Sequence, residues 1–183
     1  MMGAAHEGAT HHMRTREATP EDSAALARVQ VDSYRTAYKN LLPDEYLAQF
    51  TYEEQEQDWR DLMASPTGDI LLVAENDSEI LGYALGRRLP DASTYAGELV
   101  ALHVRAPHQR EGAGTALVSA MAHRLASEGC KSLILWVLEG NSARQFYEKL
   151  GGMPAGTQTI ELGDNISTTE VGYGWPDITA LFR

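Results

Sequence analysis

Apolar and polar positions along this chain repeat with two periods, and each change of period marks an element. Residues 13–18 read as a short edge strand. Thr19-Pro20-Glu21-Asp22 then opens a helix, with Thr19 as N-cap, proline at the first position and acids in the first turn. Leu26, Val29, Gln30, Ser33, Tyr34 and Ala37 trace one helical face as far as Tyr38. The segment Lys39 to Pro43 breaks it, a second helix starts at Pro43, and a third at Thr51, where Thr51 and Glu54 suit a capping box. Residues 69–75 and 79–88 are apolar strands separated by Asn76-Asp77-Ser78, which predicts an antiparallel hairpin. A third strand spans 98–104. Leu117, Ala120, Met121 and Leu125 lie at core spacing in a helix from Gly112 to Glu128, closed by Gly129. A buried strand at 132–138, a helix at 141–150 and strands near 155–162 and 168–174 complete the pattern. It predicts one α/β (α+β) domain from residue 13 to 183 around a mixed sheet.

Composition narrows the function classes. The chain has 183 residues, 43% hydrophobic and 22% charged, the balance of an ordinary globular domain. Its net charge of −11 argues against a nucleic-acid binder, whose footprint is basic. No apolar run approaches the roughly 20 residues of a membrane helix. A single cysteine, Cys130, excludes an internal disulfide and offers no metal-ligand pattern, so a reducing cytoplasmic setting and a metal-free site are expected. Residues 1–12 lack the apolar stretch of a signal peptide and read as a disordered extension or tag remnant.

The candidate chemistry begins where the strand 98–104 runs into a loop and then a helix. Gln109-Arg110-Glu111-Gly112-Ala113-Gly114-Thr115 lets the main chain approach a ligand closely, and N–H groups at a helix start favour anionic oxygens. Taken alone, two glycines at such a junction serve equally as a tight turn. A Walker loop would place lysine after Gly114, and a dinucleotide fingerprint would place a third glycine at Leu117; neither is present.

Two blocks together resemble the GNAT superfamily of acyl-CoA-dependent N-acyltransferases. Gln109, Gly112 and Gly114 match its phosphate-loop pattern. Asn141-Ser142-Ala143-Arg144-Gln145-Phe146-Tyr147-Glu148-Lys149-Leu150-Gly151 matches its second block, with Gly152 standing where an aromatic residue is usual, a departure expected to lose some packing and touch no chemistry. The resemblance implies a mostly antiparallel sheet of about seven strands flanked by about four helices, with acetyl-CoA as co-substrate. It implies that main-chain N–H groups from Arg110 through Thr115, including Glu111 and Ala113, cradle the pyrophosphate. Leu102 and Val104 would pair with the pantetheine arm through their main chain, and Asn141 would hold it from the other side. The acyl group would then lie between strands 98–104 and 132–138. Tyr147 is implied as the acid that protonates the leaving thiolate, although it would also serve as a core partner of Phe146. Glu98 lies fourteen residues before Gly112, the spacing at which one histone-acetylating branch carries its base. It is equally placed to be an exposed strand-start residue; as a base it would share a face with Val100, Leu102 and Val104. His103 is expected to point to the opposite face as packing.

The resemblance places the acceptor groove at the first helices, where Tyr34 and Tyr38 are candidate substrate contacts; Tyr34, Tyr38, Tyr46 and Trp59 either line an aromatic-walled acceptor pocket or pack as helical core. From Asp44 to Asp61 the chain carries seven acids and one base, Arg60. That run either attracts a cationic amine, a small molecule or a protein amine, or is a solvated helical face. The leading expectation is direct acetyl transfer to a primary amine. A non-catalytic acyl-CoA-binding regulatory domain is the alternative, and a homodimer is left open.

Overall fold

The computed structural model describes residues 12–65, 67–91, 93–163 and 166–183. All but the last residue of the expected N-terminal extension therefore lies outside the described residues. Strands β1 (Arg14–Glu17), β2 (Ile70–Glu75), β3 (Ile80–Arg88), β4 (Gly97–Val104), β5 (Leu133–Leu138), β6 (Met153–Glu161) and β7 (Ser167–Trp175) form one sheet in the order β1-β2-β3-β4-β5-β7-β6. Every pairing is antiparallel except β4 with β5. The hairpin turn between β2 and β3 is closed by Asn76, whose Oδ1 accepts from the N–H groups of Ser78 and Glu79 at 2.9 Å each.

Helices α1 (Ser23–Ala37) and α3 (Tyr52–Ala64), with the single turn α2 (Asp44–Leu47) between them, cover one face. Leu26, Ala27, Val29 and Trp59 pack there on Leu71, Val73, Ile80 and Tyr83. Helix α4 (Ala113–Ser127) covers the other, where Leu117, Met121 and Leu125 meet Leu72, Leu99, Leu133 and Leu135. Helix α5 (Arg144–Lys149) follows β5. It is shorter than the predicted helix at 141–150, because Asn141 folds the chain into a turn first, with its Oδ1 accepting from Ala143 N at 2.9 Å.

Two end contacts refine the sequence reading. Thr51 caps α3 through Glu54 N at 3.3 Å, but its hydroxyl also donates to the Glu54 carboxylate at 2.9 Å, so the glutamate serves the threonine side chain. Arg16 of β1 bonds Asp22 at 2.6 and 2.9 Å and Glu75 at 2.6 Å, tying β1 to the start of α1 and to β2. Asp22 and Glu75 are buried, and the guanidinium holds both carboxyls below the usual range.

Candidate active site

The sheet opens along β4. Parallel pairing to β5 covers only Gly97–Leu99 against Leu133–Leu135, although β4 runs on to Val104 and β5 to Leu138. Residues 100–104 thus present a strand edge with no β5 partner, the edge an extended ligand arm would use. A β-bulge lies at the fork: Leu85 pairs with Ala101 and Gly86 with Leu99, which leaves Val100 without a β3 partner and 39% exposed.

The bulge corrects one expectation. Leu99, Leu102 and Val104 all pack on the α4 side, whereas Ala101 packs with the α1–α3 core. By strand alternation Glu98 lies opposite Leu99 and so does not share a face with Leu102 and Val104. Its carboxylate is ion-paired across the sheet with Arg87, at 2.7 Å to Nη2 and 2.8 Å to Nε. His103 is on the α1 side as well, 8% exposed, with ring centroids 5.3 Å from Tyr34, 6.2 Å from Tyr38 and 5.4 Å from Tyr83. Burial lowers its pKa to about 4.

Beyond Val104 the chain makes a short 3₁₀ turn and enters the loop before α4. Arg110 and Gly112 both adopt positive φ, +66° and +96°, and Gly112 is the left-handed N-cap of α4. The N–H groups of residues 110–115 donate to no main-chain carbonyl among the described residues. Six consecutive donors at the positive end of a 15-residue helix are thereby left for an anionic ligand. Gln109 braces this loop by donating to Val104 O at 3.1 Å. Arg105 and His108 are both paired with Glu79, and His108 Nδ1 also lies 3.4 Å from the Glu111 carboxylate. A Cβ at Gly114 would stand 3.3 Å from Phe146 Cζ, so this glycine lets α4 and α5 approach and joins the two motifs in space.

Tyr147, on α5, is 7% exposed, with its ring centroid 5.3 Å from Phe146 and 6.3 Å from Tyr173. Burial raises its phenol pKa, so the hydroxyl stays protonated at neutral pH. Tyr34 and Tyr38 stack edge to face at 5.0 Å in a cluster with Leu42, Leu47 and Leu138. Desolvation is the main cause that raises the Tyr38 pKa, with Tyr34, Tyr147 and the Glu170 carboxylate adding to it. A cleft of about 340 Å³ beside them is lined by Asn40, Leu41, Leu138, Glu139 and Ser167–Thr169.

Comparison with known proteins fits this architecture. A model of the Acetyltransferase (GNAT) family matches residues 34–152. The chain belongs to the GNAT acetyltransferase family. An uncharacterized N-acetyltransferase of Bacillus subtilis, YuaI, is 33% identical over 167 residues, covering 91% of this chain and 94% of that protein. Among solved structures, the PaiA N-acetyltransferase of Thermoplasma acidophilum in complex with coenzyme A superposes with a TM-score of 0.68 at 19% identity, covering 87% of this chain and 98% of that one. The yncA putative acetyltransferase of Salmonella typhimurium with acetyl-CoA gives 0.60 at 20% identity, covering 89% and 92%.

Within this acetyltransferase, two further features bear on the sequence reading. The acidic run is divided. Helix α3 packs on α1 and, through Trp59 at 5.0 Å, on Tyr83. Several of its acids are engaged locally, Glu56 by Arg60, Asp58 by Gln55 and Asp61 by Gln57. Trp59 is therefore core, not a pocket wall. Nor does Gly152 leave packing unfilled: a Cβ there would lie 2.8 Å from Trp175 Cζ2, so an aromatic ring from β7 already occupies the space. Cys130 is buried with its thiol 3.4 Å from Ala96 O. Among the described residues no helix is long and apolar enough to cross a membrane, and no three His, Cys, Asp or Glu side chains group as metal ligands would.

Proposed function

We propose that this enzyme transfers an acetyl group from acetyl-CoA directly to a primary amine, and that the acceptor is cationic. The observation that carries the cofactor assignment is the run of six uncommitted N–H groups at residues 110–115, set at a helix start and suited to a pyrophosphate. Leu102 and Val104, on the unpaired edge of β4, would bind the pantetheine arm through the main chain. Asn141 would meet it from the other side with the amide N–H groups its turn leaves over. Val100, bulged out of register with β3 at the fork, lies where the acyl oxygen would develop negative charge.

Once the ammonium has lost its first proton, the acceptor nitrogen attacks the thioester carbon, the C–S bond breaks, and the departing thiolate takes the proton of Tyr147. The phenolate so formed is reprotonated by the second N–H proton that the new amide sheds, directly or through water. Glu98 takes the proton the ammonium must lose, directly or through water. Tyr34 and Tyr38 would wall the acceptor site. Glu139 in the adjoining cleft favours a cationic guest more directly than the α3 acids do.

A panel of polyamines, aminoglycosides, amino acids and peptide N-termini, monitored for free CoA thiol, tests the activity. Tyr147→Phe is expected to lower kcat while leaving CoA affinity within twofold. Full turnover by that variant would remove Tyr147 from the acid role.

A further inference from the structure

The hydroxyl of Tyr173 has a use that packing does not require. Tyr173 is on β7 and 2% exposed. Its hydroxyl accepts from Arg144 Nε at 3.0 Å and donates to Glu148 Oε1 at 2.6 Å. These partners are four residues apart, one turn of α5, and Tyr147 lies between them. Helix α5 has only six residues and no side-chain N-cap, so local hydrogen bonding alone holds it weakly. Its placement depends on clips from outside: Tyr173 on one turn, Arg144 Nη1 to Glu139 O at 2.8 Å, and Trp175 Nε1 to Leu150 O at 3.0 Å just beyond the helix.

We infer that Tyr173 is a positioning residue for Tyr147, its hydroxyl fixing the turn of α5 that aims the phenol at the leaving sulfur. The inference rests on Tyr147 being the acid. The geometry favours a fixing role over plain burial in two ways. Both hydrogen-bonding capacities of a fully buried hydroxyl are spent on charged groups, the stronger kind of bond. Those groups are also both on the element that carries Tyr147 and, being at least partly exposed, can hydrate when the clip is cut, so the sheet survives while α5 loosens. Displacement of a reacting group by about 1 Å can cost on the order of 100-fold in rate.

The test is a double-mutant cycle of Tyr173→Phe with Tyr147→Phe, using the panel amine the native enzyme acetylates fastest, together with hydrogen exchange of the α5 amides, which needs no acceptor. Tyr173→Phe should lower kcat roughly 10- to 100-fold, leave KM for acetyl-CoA within about twofold, and add nothing further in the Tyr147→Phe background. Amides of residues 146–148 should exchange at least roughly tenfold faster while those of α4 do not change. If Tyr147→Phe is slow but Tyr173→Phe keeps the native kcat and exchange, or if the two losses multiply, the positioning role is overturned and the acid role stands. If Tyr147→Phe itself keeps full rate, the acid reading fails and the positioning role with it. Arg144→Ala and Glu148→Ala each cut one arm of the clip at a partly or fully exposed site, and they carry the same cycle if Tyr173→Phe does not fold.

Discussion

A neutral histidine ring sealed among tyrosines makes the fold acid-sensitive in a defined window. The groups packed around His103 are Tyr34 and Tyr38 from α1 and Tyr83 from β3, all with phenol pKa values raised by burial and all uncharged at neutral pH. Nothing there compensates an imidazolium, and the pKa drops from 6.5 to about 4. Above pH 6.5 the ring is neutral in both native and unfolded chains and contributes no pH dependence. Between 6.5 and 4 the unfolded chain binds the proton and the native state does not, so stability falls as pH falls; below 4 the loss is complete. A shift of that size corresponds to about 3 kcal/mol in total, of which roughly 2–3 kcal/mol is spent between pH 7 and 4.5. In a chain of this length that is on the order of 5–10 °C in Tm. Urea unfolding followed by circular dichroism at pH 7.5, 6.5, 5.5 and 4.5 measures it. His103→Phe keeps an aromatic ring in the cluster and removes the titration, so its stability should be nearly flat across this window whatever its absolute value. The carboxyls of Asp22 and Glu75 protonate mostly below the window and are common to both proteins. An equal acid loss in His103→Phe, or a native loss below about 0.5 kcal/mol over the window, would refute the assignment.

Three further outcomes follow from the geometry. Gly112→Ala forces a side chain into the left-handed N-cap of α4, at a cost of about 1–2 kcal/mol; KM for acetyl-CoA in steady-state assays should rise roughly tenfold with kcat little changed. Glu98→Gln should slow turnover on the order of 100-fold at pH 7, and the deficit should shrink as rising pH supplies unprotonated amine; a deficit independent of pH would assign Glu98 to the sheet through Arg87 instead. Arg16→Gln leaves the buried Asp22 carboxylate without its cation, while Glu75 keeps Arg14 at 2.7 Å, and should cost about 2 kcal/mol near neutral pH, less than a fully buried pair because Arg16 is one-third exposed. Because both carboxyl pKa values are depressed in the native protein, that contribution is present above their unfolded values and acid removes it; the gap between Arg16→Gln and the native protein should close in denaturation curves taken below pH 4.

What the sequence disclosed divides along the range of the contacts involved. Strand and helix periods, the Asn76 turn, the Thr51 cap and the glycines before α4 are local devices, and each is readable where it stands. The same holds for the phosphate loop, since Gly112 needs its left-handed conformation whatever surrounds it. Contacts between distant segments leave no such mark. Gly152 looks like lost packing until Trp175 arrives from β7, and the α3 acids look like a groove wall until Trp59 turns that helix toward Tyr83. Tyr173 sits unremarked in an alternating strand, because its two partners lie 25 and 29 residues away.

The bulge at Val100 is the case with the most consequence for chemistry. In a continuous apolar run, Leu99-Val100-Ala101-Leu102, nothing signals that one residue falls out of register. Simple alternation sets Glu98 and His103 on opposite faces and puts Glu98 beside Leu102. Once Val100 is left unpaired, residues 98, 101 and 103 come to the α1 side and 99, 102 and 104 to the α4 side. Both side chains of β4 able to handle a proton then face the helix that carries Tyr34 and Tyr38, while the main-chain edge beyond the fork is without a β5 partner. Burial, which lowers the His103 pKa to about 4, makes that ring a poor acceptor of an ammonium proton, and leaves Glu98, ion-paired with Arg87 at the closed end of the fork, as the group whose replacement tests the base role. The pH dependence of Glu98→Gln therefore also decides whether the acceptor enters from the α1 face.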